Sequence, residues 1–237
     1  MGKARSWLIV PAGGVGSRFS PKLPKQFFPL GQSTVAQHCL SRLVKVPEIE
    51  RLVVPCKVRD KCWSSVPAIT NDRVELVEGG IDRAESVLNG LSALTHDAIF
   101  SDWVLVHDIV RPCVTLGSIM KLRESVNKHP IGGILVSPIN ETVKLITEHG
   151  QIKSTIDRRI CRLAQTPQMF RYGELVKAME HAFKNGQFLT DESSALERLG
   201  KEVKIVEGRA DNIKITRPED LILANTILEE QEKSECE

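Results

Sequence analysis

The chain has 237 residues, of which 41% are hydrophobic and 26% are charged, and its formal net charge is +2. This composition is ordinary for a globular protein, and the nearly neutral charge argues against a nucleic-acid-binding surface. The apolar run Trp7–Val10 is too short for a signal-peptide core or a membrane span, so we expect a soluble cytoplasmic protein without membrane contacts.

Apolar segments typical of strands alternate along the chain with segments of helical periodicity. The predicted strands are Trp7–Pro11, Arg51–Pro55, Val74–Val77, Trp103–His107 and Ile131–Val136. The predicted helices are Ser33–Lys45, Asp82–Thr95, Thr115–Lys128, Tyr172–Lys184, Asp191–Leu199 and one that starts near Thr216. Continuous Val, Ile and Leu runs are typical of strands buried on both faces. We therefore predict an α/β fold with a Rossmann-like, mostly parallel sheet flanked by helices.

One segment interrupts this alternation. Thr142–Ile146 and Ile152–Ile156 flank His149–Gly150, which predicts a β-hairpin. We expect residues 1–137 and 160–237 to form the α/β domain. Residues 138–159 then form an inserted hairpin arm that reaches beyond that domain.

A glycine-rich turn, Pro11–Arg18, follows the first predicted strand. Glycines let backbone N–H groups approach a phosphate closely, although a plain tight turn explains them equally well. The turn lacks the Lys-Ser/Thr of a P-loop, and Phe19 stands where a dinucleotide fingerprint has its third glycine. Since Ser33–Arg42 also contains no acidic residue, the sequence argues against a nicotinamide-dependent oxidoreductase.

Basic residues flank the proline-containing loop after this turn. Arg18 and Lys25 lie on either side of Ser20–Pro24, and a loop without helix can bring both cations to one anion. Arginine grips phosphate oxygens bidentately, and lysine adds a mobile charge. A second basic group near the C-terminus comprises Arg209, Lys214 and Arg217. Two small basic groups in a nearly neutral chain favour a small anionic ligand.

A carboxylate ends the strand predicted at Trp103–His107. Asp108 is well placed there to hold a Mg²⁺ ion that bridges phosphates, and capping of the next turn is the alternative. His107 is a lone histidine on a strand, which is typical of a packed side chain. The six cysteines show no CxxC or zinc-finger spacing, so we expect free thiols.

The sequence resembles the 2-C-methyl-D-erythritol 4-phosphate cytidylyltransferase family, because these motifs and several others occur along the chain in the order that the family has. The resemblance extends from about Trp7 to Leu228, which is essentially the whole chain. The matching segments are Ala12–Arg18, Pro24–Gln26, Gly79–Gly80, Arg83–Ser86, His107–Asp108, Arg111–Pro112, Thr142, Thr155–Arg158, Thr166–Gln168, Thr190–Glu192 and Glu207–Lys214.

The resemblance implies a homodimeric enzyme of isoprenoid precursor biosynthesis. Such an enzyme transfers CMP from CTP to 2-C-methyl-D-erythritol 4-phosphate, releases pyrophosphate, and uses Mg²⁺ or another divalent cation. The resemblance also implies that the hairpin arm is swapped across the dimer, so that Thr142 and Arg158 serve the site of the other copy.

The family pattern further implies roles for individual residues. Catalytic roles fall to Arg18, Lys25, Arg158 and Lys214: the first two stabilise charge on the triphosphate, and the last two position the sugar phosphate. CTP binding falls to Ala12, Gly13, Gly14, Gly16, Gly80, Asp82 and Ser86. Substrate binding falls to Asp108, Arg111, Thr142, Thr166 and Thr190, and metal binding to Asp108 and Asp211.

Two other functions compete with this interpretation. Ribitol-5-phosphate cytidylyltransferases share the glycine turn, the Asp-x-x-Arg and the Thr-Pro-Gln. The methylerythritol type is favoured by two segments, Thr155–Arg158 and Thr190–Glu197. The bulky pair Ile109–Val110 argues for the ribitol type, because we expect it to narrow the sugar pocket. A non-catalytic nucleotide-binding module would lack at least one of the main charged residues. Arg18, Lys25, Asp108 and Lys214 are all present.

Overall fold

A computed structural model describes residues 4–14, residue 19 and residues 23–235. Gly16 and Arg18, two of the predicted site residues, lie outside this part of the chain. Within it, no helix has the length and apolar character needed to cross a membrane.

Strands and helices alternate along the described chain. The strands are β1 Ser6–Ile9, β2 Pro29–Leu30, β3 Ser33–Thr34, β4 Ile49–Cys56, β5 Val74–Glu78, β6 Trp103–Val106, β7 Gly132–Pro138, β8 Val143–Ile146, β9 Ile152–Ile156, β10 Arg162–Arg171 and β11 Lys204–Glu207. The helices are α1 Val35–Leu43, α2 Arg83–Ser92, α3 Leu116–Val126, α4 Tyr172–Lys184, α5 Glu192–Arg198 and α6 Asp220–Glu235.

The main sheet has seven strands in the order β11-β7-β10-β6-β1-β4-β5. β10 is antiparallel to its neighbours β6 and β7, whereas the other neighbouring strands are parallel. The chain moves outward from β1 to β4 and β5 and then returns to place β6 on the other side of β1. The strand order therefore reverses between β1 and β6, and ligands of open α/β sheets bind beyond the carboxyl ends of the strands at such a reversal.

Side chains of β1 are buried on both faces of the sheet, as its apolar run predicts. Leu8 and Val10 belong to one apolar cluster, with residues of α1, α3 and α6. Trp7 and Ile9 belong to a second cluster, with residues of α2, α4 and α5. Each fully buried Leu or Ile side chain contributes about 2 kcal/mol to folding. The result is a sheet between two helical layers, which confirms the predicted α/β class.

Side-chain caps define where the helices begin. Asp82 accepts a hydrogen bond from Glu85 N at 2.8 Å, and Asp191 accepts one from Ser194 N at 3.0 Å, so α2 and α5 start where the sequence predicts. α6 begins at Asp220 rather than near Thr216. The Asp220 carboxylate binds the N–H of Thr216 at 2.7 Å and stabilises a turn before the helix.

Two strands of the sheet were not predicted, whereas the hairpin was. β10 contains Pro167, which cannot donate to a strand ladder, and its register with β7 shifts between Ala164 and Gln168. β11 is a four-residue edge strand. β8 and β9 pair antiparallel as a separate two-stranded sheet, which confirms the predicted hairpin.

Candidate active site

Two cavities adjoin at the carboxyl edge of the sheet, between β1 and β6. The first, of about 250 Å³, is lined by the turn after β1 and by residues including Lys25, Ser86 and Val110. The second, of about 190 Å³, is lined by residues including Arg111, Thr166 and Thr190. Arg83, Asp108 and Lys214 line both cavities, so these three side chains form the junction between them.

Asp108 is the centre of a buried ion cluster at this junction. Its side chain is only 6% exposed. One carboxylate oxygen accepts a hydrogen bond from Arg83 Nε at 2.7 Å, and the other lies 2.8 Å from Lys214 Nζ and 3.7 Å from Arg111 Nε. Burial alone would raise the pKa of Asp108, but the charges of Arg83 and Lys214 outweigh burial and hold it well below its usual value. Asp108 is therefore ionised at neutral pH.

Backbone pairing behind Asp108 places two lysines on the first cavity. Ile215 N donates to Val110 O at 2.9 Å, so the chain after Asp108 lies beside the chain after Lys214. Lys25 Nζ donates to Ile215 O at 3.2 Å. Gln26 Nε2 donates to Ala12 O at 2.9 Å and holds the loop that carries Lys25 against the turn after β1. These contacts bring Lys25 and Lys214, which belong to the two basic groups of the sequence, to the same cavity.

Thr166 fixes the backbone of Asp108. Its hydroxyl accepts a hydrogen bond from Asp108 N at 3.1 Å and donates one to His107 Nδ1 at 3.0 Å. His107 Nε2 in turn donates to Arg111 O at 3.1 Å, which defines the neutral tautomer. Burial lowers the pKa of His107 to about 4, so the imidazole is uncharged at neutral pH. His107 is thus a packed side chain, as expected, and it links Thr166 to Arg111.

The far end of the first cavity is formed by backbone of the glycine turn and by the start of α2. Ser86 Oγ donates to Asp82 O at 2.7 Å and accepts from Gly80 N at 3.0 Å. A side chain at residue 13 would approach Ser86 Oγ to 3.3 Å, so Gly13 lets the turn lie against α2. Asp82 and Gly80 support this wall, but neither is among the residues that line the cavity.

Arg83 lies at the junction and is paired with Glu192, and the sequence analysis assigned no role to either residue. Arg83 Nη1 and Nη2 donate to the two Glu192 carboxylate oxygens at 2.6 and 3.1 Å. Burial would lower the pKa of Arg83, but the carboxylates of Glu192 and Asp108 more than compensate and raise it. Both residues lie in the motifs Arg83–Ser86 and Thr190–Glu192, which are the sequence signal that could have indicated them.

Gln168 anchors α5, which carries Glu192. Its Nε2 donates to Asp191 Oδ2 at 2.8 Å, and its Oε1 accepts from Ser193 N at 3.0 Å. Thr166 and Gln168 both belong to β10, so the Thr-Pro-Gln motif supports Asp108 on one side and Glu192 on the other. The peptide bond between Thr166 and Pro167 is cis.

Asp211, the second residue expected to bind a metal, lines neither of the two cavities. Its carboxylate is 2.6 Å from Arg209 Nη2 and accepts a hydrogen bond from Gln231 Nε2 at 3.0 Å. It lines a separate depression between the start of α3 and the end of α6. Asn212 and Lys214 point to the junction instead: Asn212 Nδ2 donates to Thr166 O at 2.7 Å.

Thr142 and Arg158 lie on the hairpin arm, and neither lines the two cavities of its own chain. Both are exposed to solvent. Arg158 Nη1 donates to Asn140 O at the base of the arm. Within one chain, therefore, the structure does not bring these two predicted residues to the junction.

Asp108 is the carboxylate of the junction that could contact a divalent ion. Among the described residues, no group of three or more His, Cys, Asp or Glu side chains is arranged to hold a metal. Asp108 faces both cavities, and Mg²⁺ is commonly bound by one or two carboxylates together with substrate phosphates and water. Because its oxygens already contact Arg83 and Lys214, an ion at Asp108 would share or replace one of these contacts.

The electrostatics of the two cavities suit anionic ligands. Lys25, Arg83, Arg111 and Lys214 contribute positive charge, against the lining carboxylates of Asp108 and Asp191. Positioned cations of this kind stabilise charge that develops on phosphoryl oxygens during transfer. The described lining contains no Ser or Cys paired with a histidine base, and direct transfer between phosphates needs no such nucleophile.

Comparisons with known proteins agree on one family. The family model described as 2-C-methyl-D-erythritol 4-phosphate cytidylyltransferase matches residues 7–230. A protein of that name from Hahella chejuensis is 41% identical over 228 residues, covering 96% of this chain and 95% of the relative. One from Tolumonas auensis is 43% identical over 224 residues, covering 94% and 96%. The crystal structure of the Francisella tularensis protein of that name has a TM-score of 0.82 at 34% identity, covering 94% of this chain and 100% of that chain.

The role of the Thr166 hydroxyl can be tested by a near-isosteric substitution. Thr166→Val leaves Asp108 N and His107 Nδ1 buried without their hydroxyl partner, so we expect the free energy of unfolding to fall by about 1–3 kcal/mol. Urea unfolding measures the change. Thr166→Ser keeps the hydroxyl and is expected to retain most of this stability. Equal losses in the two variants would show that the hydroxyl does not support the Asp108 backbone.

Proposed function

The chain belongs to the 2-C-methyl-D-erythritol 4-phosphate cytidylyltransferase family and is a CTP-dependent nucleotidyltransferase, and we propose that its two adjoining cavities hold the two substrates side by side. It transfers CMP from CTP to 2-C-methyl-D-erythritol 4-phosphate, releases pyrophosphate and forms 4-diphosphocytidyl-2-C-methyl-D-erythritol, an isoprenoid precursor. One observation carries the proposed arrangement: Arg83, Asp108 and Lys214 line both cavities.

CTP occupies the first cavity in this proposal. The backbone of Ala12, Gly13 and Gly14 and the Ser86 hydroxyl lie at the end that would receive cytosine. Lys25 lies toward the triphosphate, and by family analogy Arg18 and Gly16 complete this side. Gly80 and Asp82 contribute indirectly, because they hold Ser86 and the start of α2 in place.

The polyol phosphate occupies the second cavity. Arg111, Thr166 and Thr190 line it, and Lys214 reaches it from the junction. Lys214 and Asp108 then stand between the phosphate of the polyol and the α-phosphate of CTP. This position supports the predicted role of Lys214 in orienting the attacking phosphate.

The reaction proceeds by in-line attack. A phosphate oxygen of the polyol phosphate forms a bond to the α-phosphorus of CTP, and the bond from this phosphorus to the bridging α–β oxygen breaks, so pyrophosphate leaves with that oxygen. The protein contributes alignment and charge neutralisation rather than a covalent intermediate. A single positioned group of this kind is worth about 3–4 kcal/mol in the transition state.

A divalent cation, Mg²⁺ in the simplest case, is the proposed cofactor. A bound ion would supply charge neutralisation to the phosphates during transfer. Asp108 is the residue proposed to hold it, whereas the Asp211 carboxylate faces a separate depression.

The hairpin arm, residues 138–159, is proposed to complete the site of a second copy. Its apolar side chains Ile146 and Ile152 are 61% and 67% exposed in the single chain, which suits an element that packs against another molecule. By family analogy, Thr142 and Arg158 on this arm act in the partner's site. The proposal of a homodimer is consistent with the position of these two residues, which line neither cavity of their own chain.

Ribitol phosphate is the less favoured acceptor. The sequence argument for ribitol phosphate was that the bulky pair Ile109–Val110 narrows the sugar pocket. In the structure both line the first cavity, and neither is among the residues that line the second. The pair therefore does not shape the proposed polyol site.

A cytoplasmic location is part of the same proposal. Cys39, Cys56, Cys62, Cys113 and Cys161 are all free thiols in the structure. Free thiols are typical of the reducing cytoplasm, whereas oxidising compartments favour disulfides.

The function is tested by pyrophosphate release in the presence of Mg²⁺ and CTP. Methylerythritol phosphate and ribitol phosphate are supplied in parallel reactions, with a reaction lacking both acceptors as the control. We expect rapid release with methylerythritol phosphate and little with ribitol phosphate. Release with ribitol phosphate alone would contradict the acceptor, and binding of CTP without release in either reaction would contradict catalysis.

The shared site is tested by mixing two inactive chains. Lys25→Ala and Arg158→Ala homodimers should each lose activity by about 10²–10³-fold, because each lacks one charged group in every site. In a heterodimer purified through two different tags, a swapped arm puts both lesions in one site and leaves the other intact. We expect recovery to about half of the wild-type activity, whereas no recovery would contradict the swapped arm.

A further inference from the structure

Arg83 occupies a position that a substrate-contacting residue would need. The two substrates must meet where the cavities adjoin, and Arg83 is one of three residues that line both. It is the first residue of α2, immediately after the capping residue Asp82, so its backbone is fixed by the start of the helix. Its guanidinium reaches from there to the junction.

The guanidinium of Arg83 is held by two carboxylates, and these contacts do not use all of its N–H donors. Nε donates to Asp108, and Nη1 and Nη2 each donate to Glu192. These bonds use three of the five N–H groups of an arginine. The other two N–H groups, one on each terminal nitrogen, have no acceptor among the described residues. A phosphate oxygen at the junction would supply one.

Glu192 is built to orient this guanidinium. Its side chain is 1% exposed, and its two oxygens bind Arg83 in a bidentate arrangement that fixes the plane of the guanidinium. Glu192 is the first residue of α5, where Gln168 binds Asp191 and Ser193 and so holds the end of the helix. Glu192 itself is absent from the lining of both cavities.

We propose that Arg83 contacts the transferring phosphate at the junction and that Glu192 is a positioning residue that acts through Arg83. Arg83 stabilises the charge that spreads over the α-phosphate oxygens as the polyol phosphate attacks. Glu192 holds the guanidinium so that its remaining N–H groups face the cavities. This inference rests on the proposed function, because it names a further phosphate contact within the same site.

The test compares steady-state kinetics of Arg83→Gln, Arg83→Lys, Glu192→Gln and the double variant Arg83→Gln/Glu192→Gln. We expect the kcat of Arg83→Gln to fall by about 10²-fold or more with a small change in the KM for CTP, because the contact strengthens in the transition state. Arg83→Lys should recover little, since a single ammonium cannot reproduce the planar contacts to both carboxylates. We expect Glu192→Gln to lower kcat by at least about 10-fold.

The double variant separates positioning from general loss of structure. If Glu192 acts through Arg83, adding Glu192→Gln to Arg83→Gln lowers kcat by no more than about 3-fold further. Thermal unfolding and CTP binding are measured for each variant. If Glu192→Gln fails to fold, Glu192→Asp replaces it, because this change keeps the charge but withdraws the carboxylate by one methylene. Glu197→Gln is the matched control, since Glu197 lies on the same helix and is exposed.

The outcomes distinguish the inference from the function. A kcat of folded Arg83→Gln within about 3-fold of wild type would overturn the contact. The positioning role would be overturned if Glu192→Gln lowered kcat by the same factor in the wild-type chain and in the Arg83→Gln variant. Absence of turnover in wild type and in Glu197→Gln would instead contradict the proposed function.

Discussion

The arrangement of the site depends on the burial of one carboxylate. An ionised carboxylate that is 6% exposed is unfavourable unless it is paired and hydrogen-bonded, because removing its hydration costs several kcal/mol. Asp108 meets this requirement with cations from three separate segments: Arg83 at the start of α2, Arg111 after β6, and Lys214 before α6. The need to pair Asp108 therefore draws Arg83 and Lys214, which are distant in the chain, to one point, and both of these cations line the two cavities.

The sheet topology sets where that point lies. The order of strands reverses between β1 and β6, so the glycine turn after β1 and Asp108 after β6 face each other at one edge. β10 runs against the other strands, so its first half lies beyond the carboxyl end of β6, where Gln168 pairs with Val106. One reversed strand thus delivers Thr166 to Asp108 and Gln168 to the helix that carries Glu192.

Local patterns in the sequence predicted strands and helix starts, but they did not predict which residues far apart in the chain pair with each other. The apolar runs of β1 and β6 and the caps Asp82 and Asp191 are local signals, and the structure follows them. β10 was not predicted, because Pro167 interrupts its strand pattern.

The same limit applies to side-chain roles. Glu192 bonds to Arg83 across 109 positions of the chain, a pairing that no spacing rule indicates. Asp211 lies close in sequence to Lys214, but its carboxylate faces a different depression. The family resemblance implied a metal role for Asp211, whereas its hydrogen bonds to Arg209 and Gln231 hold its carboxylate at that depression.

The central claim is that the two substrates meet across Asp108. A crystal structure with a non-reacting CTP analogue, methylerythritol phosphate and Mg²⁺ tests it most directly. We expect cytosine against Gly13 and Ser86, and the α-phosphorus and the acceptor phosphate on opposite sides of the junction, about 3–3.5 Å apart at the reacting atoms. A nucleotide outside the first cavity, or two phosphates separated by the full width of the site, would contradict the account.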